Sequence, residues 1–428
     1  MNQDGVETVE DGRETTDDRA VVSERDRSGL WRDQARLVPP AVTPIRTGDV
    51  AAGLWGQLRG TGCEEFRARL EWLLDGESSA TYTSFRRALG ACLLELSESD
   101  GPETVLIPAF CSPDFRKTIE GVGLEPREYD VEERTLAADL SEIEAKAGPD
   151  TLAVVAVNVL GFSSPMTDLA ALCEEQGCRL IEALGYALGS KYEGEPLGTF
   201  GDCAVCNFQQ GKPIPVGGGM VISQRADLEF SDRGRPAVRP NLLSVSGYAA
   251  FGRPRLYYLY KQVAETVDSY RDSNERPTTH PASKLGVEFS PPFATMSNFQ
   301  GSIAQRVLAR NAKYRRQRAR VAVYYERHLR DCRGIRTVTS VEGLSSHQFV
   351  RYPLVAASTA LRDAMLEALR DAGIESTTLY HWPVIDEEQF PRAARLQQGT
   401  FTLPTHPYVD ETDRHRAVQT VLQTLTEC

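Results

Sequence analysis

One lysine of this 428-residue chain invites a chemical explanation. Lys212 lies in NFQQGKPIPVGGGMVIS, residues 207–223, between a glycine and a proline and just after an apolar, strand-like run. Three readings suit a lysine so placed. A phosphate loop, G-x-x-x-x-G-K-[ST], requires glycine at 206 and a hydroxyl at 213; the chain has Cys206 and Pro213, so the magnesium ligand is missing. A solvated lysine beside a turn is the ordinary case, because lysines are rarely buried. A Schiff-base lysine is the third: an enclosed site strips water from the amine and readies it to condense with an aldehyde cofactor. Position alone does not separate the last two.

No other residue pattern competes with it. Cys203 and Cys206 form a C-x-x-C, but they sit in the strand pattern DCAVCNF, where alternation points them to opposite faces. They read as buried small residues rather than zinc ligands. The nine cysteines are scattered and odd in number, unlike a disulfide framework. His280, His328, His347 and His415 show no metal spacing, and His381 and His406 fall in loops where each is either a substrate neighbour or a satisfied loop histidine.

These residues need a scaffold, and the totals allow a large one. With 41% apolar residues the chain can bury a sizeable core. A net charge of −12 argues against non-specific nucleic-acid binding. Arginine greatly outnumbers the seven lysines, as in salt-adapted or GC-rich sources. No apolar run approaches the roughly 20 residues of a membrane helix, and the N-terminus lacks the pattern of a secretion signal, so a cytoplasmic protein is expected.

Residues 1–37 are highly charged without apolar periodicity and read as a disordered acidic arm. Helical spacing appears in CEEFRARLEWLL and in SFRRALGACLLEL, with Ser84 as N-cap. A strand TVLIPAF, a helix from Pro113, a helix LSEIEAKAG, the buried strand LAVVAVNVLG and the helix MTDLAALCEEQGC follow, then strands RLIEAL, CAVCNF and GGMVIS. Such alternation implies an α/β domain with a mostly parallel sheet covered on both faces, residues 38–295. From 296 one long helix is expected, NFQGSIAQRVLARNAKYRRQRARVAVYYERHL, opening a small α+β domain to residue 428. It continues with strand FVRYPLVA and helices ALRDAMLEALRDAG and DRHRAVQTVLQTL. Residues 225–295 carry no assignable pattern.

The ordered series VLIPAF, LEPREYDV, AVVAVNVLGFSSPMTDLAALCEEQGCRLIEALGYALGSKYEGEPLGTFGD, the lysine loop with GGGMVIS, GIESTTLYHWPV and TLPTHPYV resembles the DegT/StrS-type aminotransferases. These are fold type I enzymes dependent on pyridoxal 5'-phosphate (PLP) that aminate nucleotide-linked keto sugars. The resemblance implies a homodimer, an amino-acid donor and a keto acceptor, and it sets Lys212 on the Schiff-base lysine. Other positions depart from the family. Its I-E-D-A-A-Q-A reads IEALGYA here, so the aspartate that pairs with the pyridine nitrogen is Ala183. Alternation points Glu182 the other way unless a bulge intervenes. The family's glutamine is Tyr186, either a donor to the cofactor's ring oxygen or a packed aromatic, and Asn158 is a second candidate for that oxygen or a strand-ending amide. At the phosphate end the family's Ser-Gly-Thr reads Ser84-Phe85-Arg86, where Arg86 is a phosphate clamp or an exposed first-turn residue. The phosphate-binding serine is Asn207, and the ring-stacking aromatic is Ser112. Two functions follow: an aminotransferase with a rebuilt cofactor site, or a degenerate member of the fold serving as a binding or scaffold partner.

Overall fold

The computed structural model describes residues 35–98, 101–230, 242–270, 294–380 and 383–427. The acidic arm, save its last residues, and His381 lie outside the described residues. In chain order the first lobe contains α1 (Thr47–Arg59), α2 (Gly62–Leu73), β1 (Ser78–Tyr82), α3 (Phe85–Leu96), β2 (Thr104–Pro108), α4 (Pro113–Gly121), β3 (Glu125–Tyr129), α5 (Leu140–Lys146), β4 (Thr151–Val157), α6 (Met166–Gln176) and β5 (Arg179–Ala183). Then come β6 (Lys191–Tyr192), β7 (Glu195–Pro196), β8 (Cys203–Asn207), β9 (Gly219–Ser223), α7 (Leu242–Phe251), α8 (Pro254–Tyr270) and α9 (Asn298–Leu308). The remainder comprises α10 (Asn311–Leu329), β10 (Ile335–Thr337), β11 (Leu344–Ser346), β12 (Arg351–Ala356), α11 (Thr359–Asp371), β13 (Thr377–Thr378), α12 (Pro391–Gly399), β14 (Thr400–Pro404) and α13 (Glu411–Glu427).

Seven strands form the main sheet in the order β1-β9-β8-β5-β4-β2-β3. The five from β8 to β3 run parallel, while β9 lies antiparallel between β8 and β1. Helices cover both faces, so successive residues of one strand enter different cores. Val154, Leu180, Cys206 and Met220 pack beneath α2, α6 and α9, whereas Val155, Ile181, Ala183, Cys203 and Val205 pack beneath α3 and α4. The two cysteines therefore do point opposite ways, as alternation requires. Both are fully buried. Among the described residues no cluster of His, Cys, Asp or Glu could hold a metal, and no helix is long and apolar enough to cross a membrane.

The periodic run beginning near 296 is two helices rather than the one expected. Helix α9 buries Phe299, Ile303 and Val307 in the core with α2, each such side chain contributing about 1.5–3 kcal/mol of burial. Helix α10 turns Val321, Tyr325 and Leu329 toward a different core. Buried Asp49 holds the break, accepting from Arg306 on one side (3.1 Å) and from Arg310 on the other. The second sheet, β10-β12-β14-β13, is antiparallel and packs on α10, α11 and α13. A third sheet, β11-β6-β7, joins a strand from the later part of the chain to a hairpin of the first lobe.

Candidate active site

Lys212 sits in the loop that joins β8 to β9 (residues 208–218), and the register of that hairpin assembles its surroundings. Asn207 pairs with Gly219, which lies directly under the start of α3: a Cβ at 219 would meet the Phe85 Cα at 2.9 Å and the Ser84 carbonyl at 3.0 Å. A side chain there would push α3 off the sheet. Gly218 adds a backbone of φ +97°, and its Cβ would strike Met296 and the Tyr82 carbonyl. The glycines beside the lysine thus bring the helix N-terminus and Asn207 together.

The amine itself lies over the ring of Tyr186, Nζ 3.1 Å from the ring centroid. Gly185 lies alongside it: a Cβ there would make ordinary van der Waals contact with Nζ at 3.6 Å. Lys212 keeps some accessible surface as a residue. Burial lowers its pKa, partly offset by Tyr186 and reinforced by the charge of Arg351. Burial pushes the Tyr186 phenol up, but the charges of Lys212 and Arg351 outweigh it and bring the group down to about 8. Behind the lysine, the Thr43 hydroxyl donates to the Lys212 carbonyl (2.9 Å) and itself accepts from Arg318, a fully buried guanidinium of α10 that also donates to Gln348 (3.0 Å).

Each remaining position has a definite place. Val157, Ala183 and Val205 lie side by side on neighbouring strands, so Asn158 follows directly at the end of β4. Asn158 is buried and neither atom of its amide has a hydrogen-bond partner. Ala183, the position the resemblance sets against the family's acid, is 3% exposed and presents only a methyl group. No bulge rescues Glu182: the register of β5 is regular against both neighbours. Its carboxylate accepts from the backbone N–H groups of Gly198, Phe200 and Gly201 at 2.7–2.9 Å. Burial raises its pKa to about 7 against the pull of those donors. Glu182 is a structural anchor.

At the opposite end, Ser84 caps α3 by accepting from the Arg87 N–H (3.3 Å). The Phe85 ring is buried against Phe115, leaving only its backbone to face a ligand. Arg86 is half-buried with Nε 3.9 Å from Asp114, so an exposed first-turn arginine does not describe it. Asn207 accepts from the Gln209 N–H (2.9 Å), and Ser112 caps α4. His406 is a satisfied loop histidine: fully buried, bonded to the Pro39 carbonyl (2.8 Å), and depressed by burial to about 4.

Two neighbours were not singled out from the sequence. Tyr380 stacks edge-on against Phe110 and Arg351 begins β12. The only cue for Arg351 was a charge opening the otherwise apolar strand FVRYPLVA.

PLP can be tested against this donor set. The desolvated amine and the orphaned Asn158 amide fit an aldehyde and an adjacent ring oxygen, and the start of α3 with Arg86 fits a phosphate. Only the ring nitrogen would lack a polar partner, if Ala183 stands where the resemblance sets the family's aspartate. The residues fit the group with one polar partner missing.

The architecture is that of the fold type I PLP-dependent transferases. An aminotransferase from Streptoalloteichus hindustanus, TlmJ, superposes with a TM-score of 0.70 at 22% identity, over 91% of this chain and 99% of that one. Residues 46–422 match the profile of the DegT/DnrJ/EryC1/StrS aminotransferase family, and the chain belongs to that family. Among characterised relatives, a GDP-perosamine synthase of Vibrio cholerae is 31% identical over 170 residues, which cover 40% of this chain and 46% of that protein. The chain therefore matches just under half of that relative's length. A dTDP-4-dehydro-2,3,6-trideoxy-D-glucose 4-aminotransferase of Saccharopolyspora spinosa is 27% identical over 328 residues, 73% of this chain and 76% of that one.

Proposed function

We propose that the protein is a PLP-dependent aminotransferase that moves an amino group from an amino acid to a keto sugar or a similar carbonyl. The observation that carries this reading is the desolvated Lys212 amine lying against Tyr186 beside a buried Asn158 amide that has no partner within the chain. A scaffold protein gains nothing from either, since an unpaired buried amide costs about 1–3 kcal/mol. The names of the two relatives above favour a nucleotide-linked sugar as acceptor.

When bound, PLP supplies an aldehyde to the lysine and an electron sink to the substrate carbon. The chain's part is positional and protonic. Burial raises the fraction of neutral Lys212 amine, which makes it a nucleophile and a group able to take up and return a proton at Nζ. Tyr186 shields one side of that nitrogen from water. Ser84, the Phe85 backbone, Arg86 and Asn207 form the anion end, Arg86 exchanging part of its contact with Asp114 for phosphate. Ala183 would leave the ring nitrogen of a bound PLP without an acid, so turnover is expected to be slower than in a relative that keeps the aspartate.

A homodimer belongs to the same reading. Trp55, Leu58 and Trp72 of α1 and α2 and Leu243, Leu259 and Val263 of α7 and α8 are exposed, an apolar surface that suits a second copy. A reducing, cytoplasmic setting agrees with the eight free thiols among the described residues.

The deciding experiment adds PLP to the purified chain and follows visible absorbance. Expected is a new band that borohydride fixes onto Lys212, with amino exchange from glutamate. Absence of the band at both low and high salt would remove the enzyme reading.

A further inference from the structure

Helix α6 ends in a turn that brings two cysteines together. Gly177 takes a left-handed backbone, φ +69°, and two main-chain bonds close around it. The Cys178 N–H donates to the Cys173 carbonyl (3.0 Å) and the Gly177 N–H to the Glu174 carbonyl (3.2 Å). This nested pair defines a Schellman turn, in which the two residues joined by the longer bond also pack their side chains together. Here both of those side chains are thiols. They belong to one core, and hydrogen bonding to Cys173 holds the Cys178 thiol below its ordinary range against the opposite push of burial.

Surroundings separate this pair from the other neighbouring thiols. Cys92 and Cys203 also share a hydrogen bond, but both are fully buried between α3 and the sheet. Cys173 and Cys178 instead line a cavity of ≈740 Å³, together with Glu174, Arg179, Asp202 and Arg225. Asp202 accepts from Arg179 (3.1 Å) and from Arg225 (3.3 Å), so the lining is polar and suits a small hydrophilic molecule. Among the described residues no third side chain completes a metal set around the two sulfurs. A disulfide needs only two sulfurs whose main chains approach each other, and the turn supplies that approach.

We propose that Cys173 and Cys178 form a modification site, a thiol pair that hydrogen peroxide oxidises reversibly to a disulfide across the end of α6. The site does not depend on the aminotransferase reading. Cys178, the more exposed of the two at 6% against 2%, reacts first. Its sulfur bonds to one peroxide oxygen, the O–O bond breaks, and the departing hydroxide takes up the thiol's proton and leaves as water. The Cys173 sulfur then attacks the Cys178 Sγ of the resulting sulfenic acid, the S–O bond breaks, and hydroxide leaves with the Cys173 proton as a second water. Two thiols and one peroxide give one disulfide and two waters, the sulfurs losing the two electrons that the peroxide gains. In a reducing compartment the pair rests as thiols, and such a disulfide is transient.

The main test needs no altered residue. Tryptic cleavage after Lys146 and Arg179 gives one peptide, residues 147–179, that carries Cys173 and Cys178 and no other cysteine. The reduced full-length chain is exposed to hydrogen peroxide, quenched in acid, unfolded, alkylated with iodoacetamide and digested for mass spectrometry. Expected is a peptide lighter by two hydrogens and free of alkyl groups. It should appear at least about tenfold faster than alkylation is lost at Cys92 or Cys203, because access governs thiol oxidation. Dithiothreitol added before alkylation should restore both alkyl groups. Cys173→Ser should halt Cys178 at the sulfenic acid, captured by dimedone, and Cys178→Ser should leave Cys173 open to alkylation. A peptide that keeps both alkyl groups, or that reacts no faster than Cys92 and Cys203, overturns the proposal. A disulfide from either cysteine to a third one overturns it too.

Discussion

Replacing Ala183 with aspartate asks whether the ring nitrogen of PLP would bind next to position 183, as the resemblance implies. Ala183 is 3% exposed, and its strand neighbours Val157 and Val205 offer no side-chain donor. Glu182, one residue away on the other face, shows the direction burial drives a carboxyl in this sheet: against three backbone donors its pKa still rises to about 7. An aspartate at 183 lacks those donors and is pushed at least as far. Three pKa units above the usual value near 4 amount to about 4 kcal/mol at neutral pH. Ala183→Asp should therefore lower the unfolding temperature by several degrees without PLP, and saturating PLP should restore most of it by pairing the carboxylate with the protonated ring nitrogen. The assay is thermal unfolding with and without PLP at pH 7.5, alongside amino exchange from glutamate, which should rise at least about tenfold if a pairing worth about 1.4 kcal/mol is gained in the transition state. Equal stability of the two chains without PLP would show that position 183 is not the dry site described. Equal stabilisation of both by PLP would show that the nitrogen binds elsewhere.

Glu182→Gln should destabilise the fold by about 1–3 kcal/mol, because the amide NH2 would confront one of three backbone donors. The wild-type carboxyl has its folded pKa raised from 4.5 to about 7, so the folded chain holds a proton that the unfolded chain releases in that window. Its contribution to stability is complete below pH 4.5 and declines by about 3 kcal/mol as pH rises to 7, a slope that urea unfolding should find missing in the glutamine variant. Tyr186→Phe should abolish one phenolate transition near pH 8 in an ultraviolet titration. Persistence of that transition in the variant would mean that another tyrosine gives rise to it.

Five strands of the main sheet's ladder were legible because they are apolar on both sides and bounded by helical periodicity, whereas β1 (SSATY) and β3 (EPREY) are too polar to have been read as strands. Lys212 was legible because glycine and proline bracket it within that ladder. Glu182 was half legible: alternation correctly turned it away from Ala183, but its three backbone partners lie 16–19 residues downstream in a loop. The split between α9 and α10 was hidden because no glycine or proline marks it; the break depends on Asp49, more than 250 residues earlier in the chain. Arg351 escaped for a similar reason: what surrounds it is an aromatic cavity built largely by helices in a segment with no readable pattern.

The chain of bonds from Arg318 through Thr43 to the Lys212 carbonyl makes the position of Lys212 answerable to helix α10 as well as to the sheet beneath it. Grafting the C-terminal third of a relative onto this chain would leave residues 207–223 untouched and still detune them, unless the graft brought an arginine to the same spot. Recombination between cousins of this fold should accordingly tolerate exchanges that carry Thr43 and Arg318 together, and penalise those that part them.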